Sequence, residues 1–92
     1  DGRVIRLVFP APTEERRKQL TRDVQKQGEE AKVAVRNVRR DAMDKFKAMK
    51  KAGELTEDDQ KSLEEEIQKL TDKFVKRIDE TCATKNQEIM EV

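Results

Sequence analysis

The sequence predicts an all-α protein, a long antiparallel helical hairpin preceded by a short extended or strand segment. Charged residues make up 45% of the chain and aromatic residues 3%, a composition typical of long helices with a thin apolar core. Apolar residues recur at steps of three and four along two stretches, which is the spacing of one face of an α-helix. A glycine-containing break separates the two stretches, so the chain is expected to fold back on itself there.

Residues 1–12 differ in composition from the rest of the chain. A run of β-branched and bulky residues, VIRLVF, is ended by Pro10 and Pro12. We therefore predict a strand followed by a stiff proline hinge in residues 1–12, and a helical hairpin in residues 13–92. Because a lone strand has no partner, this segment is expected to be the remnant of a sheet that belongs to a separate domain.

The first helix is predicted over residues 13–51. Thr13 is a favourable N-cap, and Glu14 and Glu15 place negative charge in the first turn, where the helix dipole favours it. The apolar stripe of this helix contains Leu20, Val24, Ala31, Val35, Val38, Ala42, Phe46 and Met49, with Gly28 in the same stripe.

A turn is predicted at residues 52–56 and a second helix at about residues 57–91. Gly53 suits the left-handed position that ends a helix, and Thr56 suits the cap of the next one. The second apolar stripe contains Leu63, Ile67, Leu70, Phe74, Ile78 and Ile89. Because each helix of a hairpin has one neighbour, both stripes should stay partly exposed. A third helix is expected to cover them, from a missing N-terminal segment or from a second copy in a homodimer.

The side chains available argue against an enzyme. The chain has no histidine, the commonest general base, and one cysteine, Cys82, so neither an internal disulfide nor a zinc site of the usual spacing is expected. We predict no catalytic residue, no metal site and no cofactor. Apolar runs are too short for a membrane helix, and the protein is expected to be soluble and cytoplasmic.

Positive charge is concentrated in the first half of the chain. Residues 1–53 contain 15 Lys/Arg and 8 Asp/Glu, a balance of +7, whereas residues 54–92 contain 6 and 12, a balance of −6. On a helical wheel, six cations gather on one flank of the first apolar stripe, including Lys47 and Lys50. The other four follow one another over three turns; they are Lys32, Arg36, Arg39 and Arg40. Their steps of about 5–6 Å suit successive phosphates, which predicts a face that binds RNA.

The same charges support a second interpretation, a structural coiled-coil or dimerisation module. Basic residues beside a core stripe often pair with acidic residues of the neighbouring helix. The second helix offers Glu64, Glu65, Glu66, Asp72, Asp79 and Glu80 for such pairs. Three arginines within five residues favour a polyanion, but the residues alone leave both interpretations open.

The chain contains the stretches TEERR, AKVAVRNVRRD, EDD at the start of the second helix, and QKLTD. In these stretches, and over nearly all 92 residues, it closely resembles the bacterial ribosome recycling factor family. The resemblance implies a long bundle of one N-terminal and two C-terminal helices with a small inserted β domain. This chain resembles the last strand of that β domain, the hinge and the two C-terminal helices.

The resemblance also implies a function, ribosome recycling after translation termination together with elongation factor G, without catalysis. It implies that Arg36, Arg39 and Arg40 bind the 23S rRNA of the large ribosomal subunit, with Arg39 the strongest candidate; Lys32 is added from the helical wheel alone. Because the family's first helix and most of its β domain are missing from these 92 residues, the fragment alone is not expected to be fully active.

Overall fold

The computed structural model describes residues 13–91, which form two long α-helices joined by a short turn. Helix α1 spans Glu14–Lys51 and helix α2 spans Glu57–Glu91. Side chains near the middle of α1 contact the C-terminal half of α2 and side chains further along α1 contact earlier residues of α2, so the helices are antiparallel. The predicted all-α hairpin is confirmed. The predicted strand and proline hinge, with Pro10 and Pro12, lie outside the described residues.

Helix α1 begins where the sequence places its cap. The Thr13 hydroxyl oxygen accepts a hydrogen bond from the backbone N–H of Arg16 at 3.1 Å. This bond satisfies one of the N–H groups that the first turn leaves without a partner inside the helix. Glu14 and Glu15 lie in the same turn, where the helix dipole stabilises their negative charge.

Gly53 ends α1 because it adopts a backbone conformation that other residues rarely adopt. Its φ is +79°, in the left-handed region. The N–H of Gly53 donates to the Lys50 carbonyl at 3.0 Å, and the N–H of Glu54 donates to the Met49 carbonyl at 2.9 Å. These two bonds form a Schellman motif, which satisfies carbonyl groups of the last turn and reverses the chain.

Helix α2 begins with a reciprocal pair of hydrogen bonds. The backbone N–H of Asp59 donates to the Thr56 hydroxyl at 3.1 Å, and the N–H of Thr56 donates to the Asp59 carboxylate at 3.4 Å. This arrangement is a capping box with aspartate at its third helical position. The turn therefore fixes both helix ends and brings α2 back beside α1.

The two helices are in close contact at Gly28 and Cys82. Gly28 is buried, and a Cβ atom added to it would lie 2.5 Å from the Cys82 sulfur. A side chain at this position would require the Cys82 side chain to rotate or the helices to move apart. Thr71 is also buried between the helices, and its hydroxyl donates to the Ile67 carbonyl within α2. We call the line of contact between α1 and α2 the seam of the hairpin.

The hairpin does not enclose a core. No apolar side chain within residues 13–91 is buried, and Val38 and Phe74 remain 64% and 45% exposed. An open apolar groove runs along one side of the seam, lined by Val24, Ala31 and Ile78 as well as Phe74. This agrees with the expectation that two helices leave both stripes partly exposed. Neither α1 nor α2 holds a stretch apolar enough to cross a membrane.

Candidate nucleic-acid interface

The apolar groove and the exposed arginines Arg36 and Arg40 lie on different sides of the hairpin. Across the seam from the groove, a polar surface is formed by Gln25, Glu29, Lys32, Asp79 and Asn86. Going round α1 from Lys32, Arg36 and Arg40 lie about 40° and 80° further from the groove, since each residue advances about 100°. Arg36 and Arg40 therefore lie on the outer side of α1, whereas Arg39 lies between the helices and lines a smaller apolar pocket with Phe74.

Arg36 and Arg40 point into solvent from this outer side. Both are exposed, and neither forms a hydrogen bond or a salt bridge within residues 13–91. They lie one helical turn apart, a rise of about 6 Å. Two unpaired guanidinium groups at this spacing can each take one of two successive phosphates.

Arg39 is held at the seam by an amide from α2. Its Nη1 donates a hydrogen bond to Oε1 of Gln68 at 2.7 Å, and Nε2 of Gln68 donates to a carboxylate oxygen of Asp72 at 2.9 Å. The Nε of Arg39 is buried and has no acceptor in the described part of the chain. Arg39 is thus half-buried and positioned, and its charge is not cancelled by a carboxylate.

Lys32 lies in the seam as the centre of two ion pairs. Its Nζ is 2.9 Å from a carboxylate oxygen of Asp79 on α2 and 2.8 Å from one of Glu29 on α1. The Lys32 side chain is 15% exposed, and its hydrogen bonds to Glu29 and then Asp79 raise its pKa above the ordinary 10.5. The structure therefore places the charge of Lys32 between two carboxylates of the protein.

The pairing interpretation describes Lys32 but none of the three arginines. Within residues 13–91, Arg36, Arg39 and Arg40 form no salt bridge, and the recorded ion pairs belong to lysines. Two of the acidic candidates on α2 instead accept hydrogen bonds from glutamines of their own helix: Glu64 from Gln60 and Asp72 from Gln68. Positive charge on the outer side of α1 is left available to a partner.

The sequence did not single out Gln68. It opens the stretch QKLTD, one of those that carry the family resemblance, but nothing in that stretch relates its amide to Arg39. Only the register between α1 and α2 places its amide opposite Arg39. Aligning α1 against α2 residue by residue in the predicted antiparallel hairpin would have been needed to place Gln68 opposite Arg39.

Two further features of the described residues concern metal binding and cysteine reactivity. No group of three or more His, Cys, Asp or Glu within residues 13–91 is arranged to hold a metal ion. Cys82 is a free, half-buried thiol whose sulfur lies 3.8 Å from the Val24 carbonyl oxygen. Its position beside Gly28 gives it a packing role in the seam.

Comparison with known proteins gives a consistent result. A family model described as Ribosome recycling factor matches residues 1–90. The chain is 61% identical over its full length to the ribosome-recycling factor of Acetivibrio thermocellus, 60% identical to that of Streptococcus mutans and 59% identical to that of Enterococcus faecalis. In each case the match covers 50% of the relative, so the chain spans about half the length of the curated relatives it matches.

Proposed function

This chain belongs to the ribosome recycling factor family, and on that basis we propose that it binds ribosomal RNA of the large subunit through the outer side of α1. The binding is electrostatic and directed to phosphates, with no bond made or broken by the chain. Arg36 and Arg40 are the main contacts, and Arg39 adds a third from the seam. The 23S rRNA is the partner that the family resemblance implies.

The observation that carries this proposal is the absence of a protein partner for Arg36 and Arg40 among residues 13–91. A guanidinium group keeps its charge at all physiological pH values and offers a planar set of donors that matches phosphate oxygens. The chain has no Trp or Tyr, so a platform for stacking single-stranded bases is not available. Contacts to the backbone and shape of folded RNA fit this surface.

Lys32 has a different role from the three arginines. Its ammonium group is already bound by Glu29 and Asp79, so a phosphate that approached it would also meet two carboxylates. A direct contact between Lys32 and RNA is therefore the weakest of the four predicted contacts. Its main role in the proposal is to hold α1 against α2, so that the arginines present a fixed surface.

We further propose that a protein carrying this chain splits the post-termination ribosome together with elongation factor G, in the cytoplasm where ribosomes work. The relatives' name, ribosome-recycling factor, supports the recycling step, and elongation factor G is the partner that the family resemblance implies. The apolar groove beside Phe74 is the surface that the third helix of the family's bundle would cover in a longer protein. The hairpin then supplies RNA binding, and the segments outside it supply the remainder of the activity.

One observation favours the structural coiled-coil alternative, the ion pair between Lys32 and Asp79 across the seam. In that alternative the basic flank serves helix pairing, and RNA affinity is incidental. The two functions predict different results for substitutions of the exposed arginines, because only RNA binding requires side chains that the protein itself does not use.

The test is the binding of the chain, or of a longer protein that carries it, to purified large ribosomal subunits at increasing KCl concentrations. Arg36→Ala and Arg40→Ala should each weaken binding and reduce the slope of log affinity against log salt by about one. Helicity, measured by circular dichroism, should not change. Arg77→Ala, an exposed arginine at the edge of the groove on α2, is the matched control and should leave the slope unchanged. Arg36 and Arg40 variants with the wild-type affinity and slope would overturn the proposal.

A further inference from the structure

A relay of two hydrogen bonds from α2 fixes the guanidinium of Arg39. The Asp72 carboxylate accepts from Nε2 of Gln68 at 2.9 Å, and Oε1 of Gln68 accepts from Nη1 of Arg39 at 2.7 Å. An ionised carboxylate has no hydrogen to donate, so it binds the NH₂ end of the amide. The carbonyl end of Gln68 must then face Arg39. Asp72 thus sets the orientation in which Gln68 can hold the arginine.

The relay leaves part of the Arg39 guanidinium available. The group has five N–H donors, and Gln68 uses one of them, on Nη1. The Nε donor is buried, which closes that edge of the guanidinium to a ligand. No acceptor within residues 13–91 uses Nη2. A ligand with two oxygens, such as a phosphate, can therefore reach Arg39 at its Nη end.

The acceptor at position 68 is a neutral amide. For the binding of a phosphate to Arg39, this neutrality is more important than the hydrogen bond itself. A carboxylate at the same place would form an ion pair with Arg39 and would compete with any phosphate for its charge. Lys32, in the same seam, has such partners in Glu29 and Asp79. An amide restrains the arginine side chain and leaves its full positive charge for a partner outside the protein.

We propose that Gln68, oriented by Asp72, is a positioning residue for the contact between Arg39 and ribosomal RNA. Gln68 does not touch the RNA; it keeps the Nη end of Arg39 turned outward in one conformation, so that less side-chain freedom is lost when RNA binds. The inference rests on the proposed function, because it assumes that Arg39 is one of the RNA contacts.

Two substitutions of Gln68 separate positioning from packing. Gln68→Met keeps the length of the side chain and removes the hydrogen bond, so affinity for large ribosomal subunits should fall about five-fold at constant helicity. Gln68→Glu keeps an acceptor and adds a charge that pairs with Arg39. Its affinity should fall about ten-fold at low salt, with the salt slope reduced by about one. Thermal stability should stay near wild type, because the new ion pair with Arg39 is offset by the lost hydrogen bond to Asp72 and by repulsion from its carboxylate.

A purely structural role for Gln68 makes the opposite prediction for the glutamate variant. If Gln68 only joined the helices, an ion pair in its place would preserve the fold and therefore the binding. Wild-type affinity and salt slope in Gln68→Glu would therefore overturn the proposal, whatever the affinity of Gln68→Met. Gln87→Met is the matched control, since Gln87 donates a similar hydrogen bond to Glu91 within α2 and contacts no arginine.

Arg39→Ala distinguishes failure of this inference from failure of the proposed function. In the Arg39→Ala background, Gln68→Met should cause no further loss, because the group it positions is absent. If Arg39→Ala alone binds as tightly as wild type, Arg39 is not an RNA contact and both the contact and its positioning are wrong. If Arg39→Ala binds weakly and the Gln68 variants bind normally, the contact stands and the positioning role of Gln68 is wrong.

Discussion

Two cations in the seam of this hairpin, Lys32 and Arg39, have acceptors of different charge on α2. They lie two turns apart on the same side of α1, and each reaches a side chain of α2. Lys32 meets two carboxylates, whereas Arg39 meets the neutral amide of Gln68. A helical wheel places both on one basic flank and cannot separate them. The charge of the acceptor on the other helix decides which cation joins the helices and which remains available.

The residues around the two cations also differ, in how closely the helices pack and in how much positive charge is exposed. Near Lys32 the helices are in close contact at Gly28 and Cys82. Near Arg39, the neighbouring Arg36 and Arg40 are exposed and without partners in the described residues. The Lys32 region should therefore control the stability of the hairpin, and the Arg39 region its affinity for RNA. Each prediction below tests this division.

The largest effect is expected at Gly28. In Gly28→Ala the new Cβ would overlap the Cys82 sulfur, which lies 2.5 Å from its position. Relieving this overlap, by rotation of the Cys82 side chain or by separation of the helices, should lower the free energy of unfolding by about 2 kcal/mol even after the gain of about 1 kcal/mol in helix propensity. Urea or thermal unfolding followed by circular dichroism measures the change.

The double variant Gly28→Ala with Cys82→Ala is the control, because it removes the sulfur that the new methyl group meets. It should recover a large part of the lost stability. Ribosome affinity per folded molecule should be close to wild type in both variants. A Gly28→Ala hairpin more stable than wild type would show that the seam is not in close contact here, and the division between the two regions would lose its structural basis.

The second prediction compares Arg39→Ala with Lys32→Ala in binding to large ribosomal subunits. Arg39→Ala should weaken binding about ten-fold and reduce the salt slope by about one, since it removes a charge that the protein leaves free. Lys32→Ala should leave the salt slope near its wild-type value, because Glu29 and Asp79 already balance this charge. Equal slopes for the two variants would contradict the comparison.

The sequence predicts the hairpin well because its helix-defining features are local. Thr13, Gly53 and Thr56 act on residues within a turn of themselves, and each has the role in the structure that its residue type favours. The apolar stripes also follow from spacing along one helix. The expectation that these stripes stay partly exposed is confirmed by Val38 and Phe74.

The roles of the cations could not be predicted in the same way because they depend on contacts between residues far apart in the chain. Lys32 and Asp79 are 47 positions apart, and Arg39 and Gln68 are 29 apart. A difference of one residue in the register of the two helices would exchange these partners. The resemblance to a known family supplied Arg36, Arg39 and Arg40 as candidates, but it did not relate Gln68, the first residue of QKLTD, to any of them.

The third prediction concerns the shape of the group at position 39. Arg39→Lys keeps the charge but replaces a planar fork with a single ammonium group, which cannot bind Gln68 and a phosphate with the same geometry. Affinity for large ribosomal subunits should fall about three-fold while the salt slope stays near wild type. The slope separates this variant from Arg39→Ala. A loss as large as that of Arg39→Ala would mean that charge at this position has no value without the fork.

The smallest effect on binding, and the clearest pH dependence, is expected from Lys32→Met. Because Glu29 and Asp79 raise the pKa of Lys32 above 10.5, the folded protein holds the Lys32 proton more tightly than the unfolded chain does. The ion pairs therefore contribute their full stability below pH 10.5 and lose it as the pH rises through the raised pKa. Unfolding free energy measured from pH 9 to about pH 12 should fall more steeply in wild type than in Lys32→Met.

Lys18→Met is the control for the loss of a lysine as such. Lys18 has an ion pair of 3.9 Å with Glu14, which lies within α1 and does not reach α2. This variant should show the wild-type decrease in stability with pH. The slope is a better measure than stability at neutral pH, since an apolar side chain in place of a partly buried ion pair can be neutral or stabilising. Parallel curves for wild type and Lys32→Met would show that Asp79 does not hold Lys32 across the seam in solution. Lys32 would then be as free as Arg36, and the basic flank would be one continuous surface.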